Sequence, residues 1–258
     1  MVCGACLAAV AGLMLVQRLA PATTRKEHNE VAGFIYAALG VIYAVLLALV
    51  VIAVWEEFGR ARVTVESEAN ALAEIFWLAH ALPEPERHHL QELARSYAEE
   101  VVDEEWPLMQ RGQTPLMEQG TRATPTGWVL IDDIRATLQG YEPRTEAEQE
   151  LYAEGLDQVQ RLADARRVRL VAAEESIPAV LWVVLVVGGL MAVGFTYLFG
   201  LENTRAHMLM VASLAGVIAL VLFTIGVLDH PFSGGAHIEP GAFDLVLNRF
   251  ETSKLSDL

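Results

Sequence analysis

Four long apolar runs limit what this chain can become. A helix rises 1.5 Å per residue, so crossing about 30 Å of hydrocarbon takes roughly 20 mostly apolar residues. The runs Val2–Ala20, Val31–Trp55, Pro178–Gly200 and Met208–Leu228 reach or approach that length, and the last three contain no charged side chain. In water all four would have to be buried core helices, more than one chain of 258 residues can enclose. The first run is not patterned as a cleaved leader. Such leaders begin with basic residues, whereas here the positive charges (Arg18, Arg25, Lys26) follow the apolar stretch. The runs predict an all-α membrane protein: four transmembrane helices, with a helical extramembrane domain inserted between the second and third.

Charge is segregated in the same way. Between Glu56 and Ser176 there are 25 acidic and 12 basic side chains, a net of −13 out of −15 for the whole chain. The expected division is therefore residues 1–55 as transmembrane helices 1 and 2, and 56–176 as the acidic helical domain. Residues 177–228 follow as transmembrane helices 3 and 4, and 229–258 as a Gly/Pro-rich C-terminal tail. With four spans, the N-terminus, the middle domain and the tail share one side. Arginines and lysines near the span ends set orientation, but the connectors offer four and the middle domain five, so the count does not decide. The charge step across the first helix favours an outside N-terminus.

The middle reads as helices. Val65, Ala69, Leu72, Phe76 and Ala79 repeat at 4-3-4-3 spacing, one apolar stripe, and the second run flows into it as one long helix. Pro83 and Pro85 end that helix. A second stripe holds Leu90, Leu93, Tyr97 and Val101. A loop follows, with Pro107, Gly112, Pro115, Gly120, Pro125 and Gly127, then a short helix at Trp128–Leu138. The last helix opens on a capping box, Thr145 with Glu148 three residues on. Its stripe of Leu156, Val159, Ala163, Arg166 and Leu170 is expected to lead straight into the third span, coupling the middle domain to both spans.

No residue pattern supports an enzyme. Phosphate-loop, nucleophile-elbow, zincin and dinucleotide fingerprints are all missing from the sequence, and neither a cofactor nor a metal is expected. Cys3 and Cys6 form a C-x-x-C, but inside an apolar run they read as small hydrophobes. His88-His89 lies on a charged helix and reads as solvated. In the second run Gly33, Tyr36, Gly40, Tyr43, Leu47 and Val50 share one face. That face is either a tight helix seam, since small residues let backbones approach, or the wall of a wet path in an oligomer. Glu30 lies at one end of the run, Glu56 and Glu57 at the other; repeated around an axis, such residues become charged rings that enrich cations. The pore-lining candidates are thus Glu30, Gly33, Tyr36, Gly40, Tyr43, Leu47, Glu56 and Glu57. Asp229 and His230, in the turn after the fourth run, are candidates for holding an ion.

Several stretches together resemble a known family. His28–Tyr36, Gly40–Leu47 and Trp55-Glu56 are similar to the opening signature of the bestrophin-like domain of unknown function. Glu105-Trp106-Pro107, Asp164-Ala165-Arg166-Arg167, Phe195–Gly200, Leu228–Gly234 and Pro240–Phe243 follow in the family's order. The resemblance spans about residues 25–245. It implies kinship to bestrophins, which are oligomeric ion channels with four spans per subunit and a helical domain in the cytoplasm. A bestrophin neck of bulky residues at successive helical turns is not placed on the second run, whose face carries glycine and tyrosine instead.

The expectation is a homo-oligomeric ion channel, tetramer or pentamer, with its pore lined by the second transmembrane helix and an acidic vestibule that favours cations. Its partners are then the lipid bilayer and inorganic ions, not nucleic acid. Its place is the inner (plasma) membrane, with the middle domain cytoplasmic. The alternatives are an anion channel of bestrophin type, or a non-conducting membrane sensor or scaffold that binds a partner through the helical domain.

Overall fold

The computed structural model describes residues 1–19, 29–113, 126–201 and 203–256. The connector expected at Pro21–Glu30 lies almost wholly outside the described residues, Arg25 and Lys26 included, as do the loop positions Pro115, Gly120 and Pro125. Nine α-helices are described: α1 (Val2–Leu19), α2 (Asn29–Leu78), α3 (Glu86–Glu99), α4 (Trp106–Gln110), α5 (Thr126–Gln139), α6 (Glu146–Glu174), α7 (Ala179–Thr196), α8 (Thr204–Leu228) and α9 (Gly241–Ser256). One 3₁₀ turn (Ala79–Ala81) follows α2, and a wider π-helical stretch (Glu100–Glu105) joins α3 to α4. Among the described residues α1, α2, α7 and α8 are long and apolar enough to cross a membrane.

The chain divides into two compact units, residues 1–56 with 176–229, and 57–175 with 230–258. The first holds the apolar helices. α1 lies on α8 through Ala9, Leu13, Val211 and Ala215. Val50 and Val54 of α2 meet Leu185 of α7 and Ile225 of α8. Without a hydrophobic drive between helices in lipid, contact depends on packing and hydrogen bonds, and both are present. The Tyr197 hydroxyl donates to the Ala9 carbonyl at 2.8 Å, and the Cys6 thiol to the Ala212 carbonyl at 3.3 Å.

The second unit is built on the predicted stripes. Val65, Ala69, Leu72, Phe76 and Ala79 are all buried, as are Leu90, Tyr97, Val101, Val159, Ala163 and Leu170. Burial of these spaced faces against one another supplies most of the drive, since each large apolar side chain removed from water is worth about 1.5–3 kcal/mol. The capping box on α6 is present: Thr145 Oγ1 accepts from the Glu148 amide at 3.2 Å, and Glu148 Oε2 accepts from the Thr145 amide at 3.3 Å.

Three expectations need correction. α2 does run 50 residues without a break, but α6 does not continue into the third span. It ends at Glu174, and α7 begins at Ala179 after Pro178. Proline lacks the N–H that would bond to the carbonyl four residues back, and its ring clashes there; four residues before Pro178 is Glu174. The expected loop is also shorter. Pro107 is the second residue of α4, directly after the π-helical stretch, and Gly127 lies inside α5. Gly112 does turn the chain, with φ +69°, a conformation glycine tolerates best. Lastly, the tail is turn-rich only as far as Pro240. From Gly241 it is a helix whose Phe243, Val246 and Phe250 are buried, with the Phe250 ring stacked on Phe76 at 3.8 Å.

Phe250→Ala is therefore expected to cost about 3–5 kcal/mol. Thermal unfolding in detergent, followed by circular dichroism, should show an earlier transition than in the unaltered protein.

Candidate functional site

The two faces of α2 do different things. Tyr43 is buried and donates its hydroxyl to the Leu185 carbonyl of α7 at 2.8 Å. Its ring lies over Gly188 and Gly189, where an added Cβ would stand 2.7 Å from Tyr43 Cε2 and 2.9 Å from Tyr43 Oη respectively. Tyr36 stacks on Phe195 with centroids 5.7 Å apart and meets Phe199 edge-on at 5.8 Å. Leu47 and Val50 pack among the residues of α7 and α8. At the start of α2 the Asn29 amide group donates to the Gly200 carbonyl at 3.1 Å and accepts from the Gly200 N–H at 3.0 Å. The sequence left this face open between a seam and a wet path. Within the subunit it forms a seam, except at Gly40, where a Cβ would meet nothing within 4 Å.

The opposite face is bare. Glu30, Phe34, Val41, Val45, Ile52 and Glu56 all lie exposed on one stripe of the helix, with Ala38 and Ala48 between them. The spacing is 4-4-3-4-3-4-4, so the two acidic residues terminate an exposed apolar stripe, whose Ile52 and Glu56 border an open crevice beside α8. Bulky residues on this face (Phe34, Val41, Val45 and Ile52) are interrupted by Ala38 and Ala48. Glu57 falls to the side and pairs with Arg60.

Asp229 is employed structurally. Its Oδ1 accepts from the Ile177 amide at 2.6 Å and its Oδ2 from Trp182 Nε1 at 3.3 Å. The residue that ends α8 thereby caps the segment entering α7, where Pro178 offers no side-chain cap. His230 is exposed. Among the described residues no group of three or more His, Cys, Asp or Glu side chains could hold a metal ion. Cys3 and Cys6 are free thiols.

A charge cluster not expected above lies in the second unit. Arg169 Nε donates to Glu68 Oε2 at 2.6 Å, and its Nη2 to Glu68 Oε1 at 3.0 Å and Glu105 Oε2 at 2.7 Å. Arg166 Nη1 donates to Glu105 Oε2 at 3.0 Å, and its Nη2 forms a second bond to Glu105 Oε1. The Tyr97 hydroxyl donates to Glu68 Oε1 at 2.6 Å. Trp128 lies 5.2 Å under the Arg166 guanidinium and Trp106 5.8 Å under that of Arg169. All four charged side chains are at most 3% exposed. Gly127 makes the space, because a Cβ there would overlap the Arg166 guanidinium. Burial by itself would push the Glu105 carboxyl up, but Arg169 and Arg166 outweigh it and hold Glu105 below its usual range. Burial, then the Glu68 charge, pushes the Tyr97 hydroxyl well above its usual value. Two signals in the sequence pointed here: Arg166 and Arg169 occupy the inward face of α6, and Glu68 falls between Val65 and Leu72 on the inward face of α2.

Residues 3–243 match the family model of the bestrophin-like domain. A crystal structure of a mutated bacterial bestrophin homologue from Klebsiella pneumoniae shares the fold at a TM-score of 0.72, over 97% of this chain and 99% of its own, with 11% identity. Another structure of a bestrophin homologue from that organism gives 0.68 over 99% and 98%, with 13% identity. A crystal structure of a membrane protein carrying P143A gives 0.70 over 97% of each chain, with 12% identity. No curated protein matches.

Two outcomes follow from this geometry. Glu105→Gln leaves two buried guanidiniums with a single carboxylate and should cost about 3–5 kcal/mol. The ionised Glu105 stabilises the fold fully above about pH 4.3, the ordinary carboxylate value, and that stabilisation is lost as pH falls through the lower folded value. Denaturation midpoints measured from pH 7 down to 3 should therefore fall more steeply for the unaltered protein than for the variant. On α7, Gly188→Val should cost about 1–3 kcal/mol by overpacking the Tyr43 ring. Gly194→Ala, with nothing within 4 Å of its Cβ, should not lower the melting temperature in detergent, since alanine is the better helix former.

Proposed function

Because the chain belongs to the bestrophin-like family, we propose that it is a homo-oligomeric ion channel, tetramer or pentamer, whose pore is lined by α2. In this reading α1, α2, α7 and α8 are four spans in the inner (plasma) membrane, and the helical middle is inserted between the second and third on the cytoplasmic side.

The observation that carries the reading is the exposed stripe of α2 from Glu30 to Glu56. A lone subunit packs its apolar helices on one another and leaves this stripe to be covered by lipid or by other copies. Acidic residues at both ends are wasteful against lipid, where they would only border the hydrocarbon. Around an axis they become rings at the two mouths of an apolar throat, and apolar constrictions gate by expelling water. The pore wall is then Phe34, Val41, Val45 and Ile52, flanked by Glu30 and Glu56, with Gly40 and Glu57 at its margins. Gly33, Tyr36, Tyr43 and Leu47 support it from behind. An acidic vestibule, with a net of −13 across residues 56–176, raises the local cation concentration and favours cations over anions.

The test is flux into liposomes loaded with a potassium- or chloride-sensitive dye. Purified protein should conduct, Glu56→Gln should lower the cation-to-anion ratio severalfold, and Val45→Ser should raise basal flux by wetting the throat. Flux that is missing, or indifferent to both changes, would leave a non-conducting scaffold as the better reading.

A further inference from the structure

At the acidic end of α2 the surface of the first unit is indented. Ile52, Trp55 and Glu56 of α2, with Phe223, Thr224 and Val227 of α8, border an open crevice of about 390 Å³. Small-molecule sites run from roughly 300 to 1,000 Å³ and are mostly apolar with a few placed polar groups, and this crevice fits that description. Its walls are aliphatic and aromatic. Its one hydroxyl, on Thr224, donates to the Leu220 carbonyl at 3.0 Å within its own helix. Its one charge is the Glu56 carboxylate. Glu56 is exposed and enters no ion pair among the described residues, whereas the neighbouring Glu57 is paired with Arg60. The Trp55 indole, 67% exposed, stands beside it.

We propose that this crevice binds a single-chain amphiphilic ammonium, with its alkyl body against Ile52, Phe223 and Val227 and its cation between the Glu56 carboxylate and the Trp55 indole. Charge complementarity selects the occupant. An anionic amphiphile is repelled by Glu56, a neutral one gains nothing from it, and a cation gains both the carboxylate and the face of an indole, the strongest aromatic partner for ammonium groups. The volume of about 390 Å³ is enough for one alkyl chain and its headgroup. The site stands whether or not the protein conducts. One consequence rests on the channel reading: Glu56 also ends the stripe assigned to the pore wall, so an amphiphilic amine held there inhibits flux.

The experiment uses the full-length assembled protein in phosphatidylcholine nanodiscs. Equilibrium dialysis of labelled octyltrimethylammonium measures binding, and empty nanodiscs correct for partition. Saturable binding is expected. It should weaken about three- to fivefold in Glu56→Gln, the range of an exposed ion pair, and tighten about fourfold for each methylene added from the hexyl to the octyl homologue. Val227→Trp, which fills the crevice, should abolish it, and octyl sulfate should not compete. Uptake that does not saturate, or that is unchanged in both variants, means partition into lipid and overturns the site. No binding to the assembled protein overturns it too, because a second copy then covers the crevice. Saturable, Glu56-dependent binding that leaves flux unaltered supports the site and counts against the pore assignment.

Discussion

The second unit is organised around four charges that cannot be separated. Glu68, Glu105, Arg166 and Arg169 are all buried, and their formal charges cancel. Each is drawn from a different turn of the fold: α2, the π-helical stretch, and two successive inward positions of α6. Tyr97 from α3 completes the bonding and Gly127 of α5 vacates the space. Five elements must be in register before any one of these groups has its partners. Buried ion pairs add little net stability, but removing one member is costly because it strands the other. The cluster therefore acts less as glue than as a requirement on how α2, α3, α5 and α6 approach one another. The apolar stripes supply the drive to collapse and tolerate small shifts; the charges do not.

In the first unit the same specificity is reached without charge. Glycines at 188 and 189 let α7 meet the Tyr43 ring, and each long apolar helix is tied to a neighbour by a side chain reaching a backbone carbonyl. Asp229 closes the entry to α7, where Pro178 separates it from the end of α6. With the seam satisfied on one side, α2 is free to present a second face that does nothing for the fold of its own subunit. That exposed stripe is the one on which the channel proposal rests.

The stretches that carry the family resemblance sort themselves on these two constraints. Glu105-Trp106-Pro107 and Asp164-Ala165-Arg166-Arg167 contribute to the charge cluster and the aromatic rings around it. Leu228–Gly234 contains the Asp229 cap, and Phe195–Gly200 the rings and turn that receive Tyr36 and Asn29. In this chain these motifs serve mostly to pack its own helices. The throat proposed for α2 would be made of Phe34, Val41, Val45 and Ile52, ordinary apolar residues in an apolar run. Glycine and tyrosine, the residues that stand out in this run, are the ones that pack.

Hydrophobic length and periodicity are one-dimensional properties, and they were legible from the residues alone. They specified the four apolar helices, the inward stripes of the middle domain, the capping box at Thr145 and the segregation of negative charge. Which face of α2 meets α7 was not legible, because a wholly apolar helix has no polar side to orient it and the choice depends on which neighbour can yield to the Tyr43 ring. Nor was the partnership of Glu68 and Glu105 with Arg166 and Arg169. Those residues lie up to 101 positions apart, and whether a charge is solvated or buried is decided only when separate helices close around it.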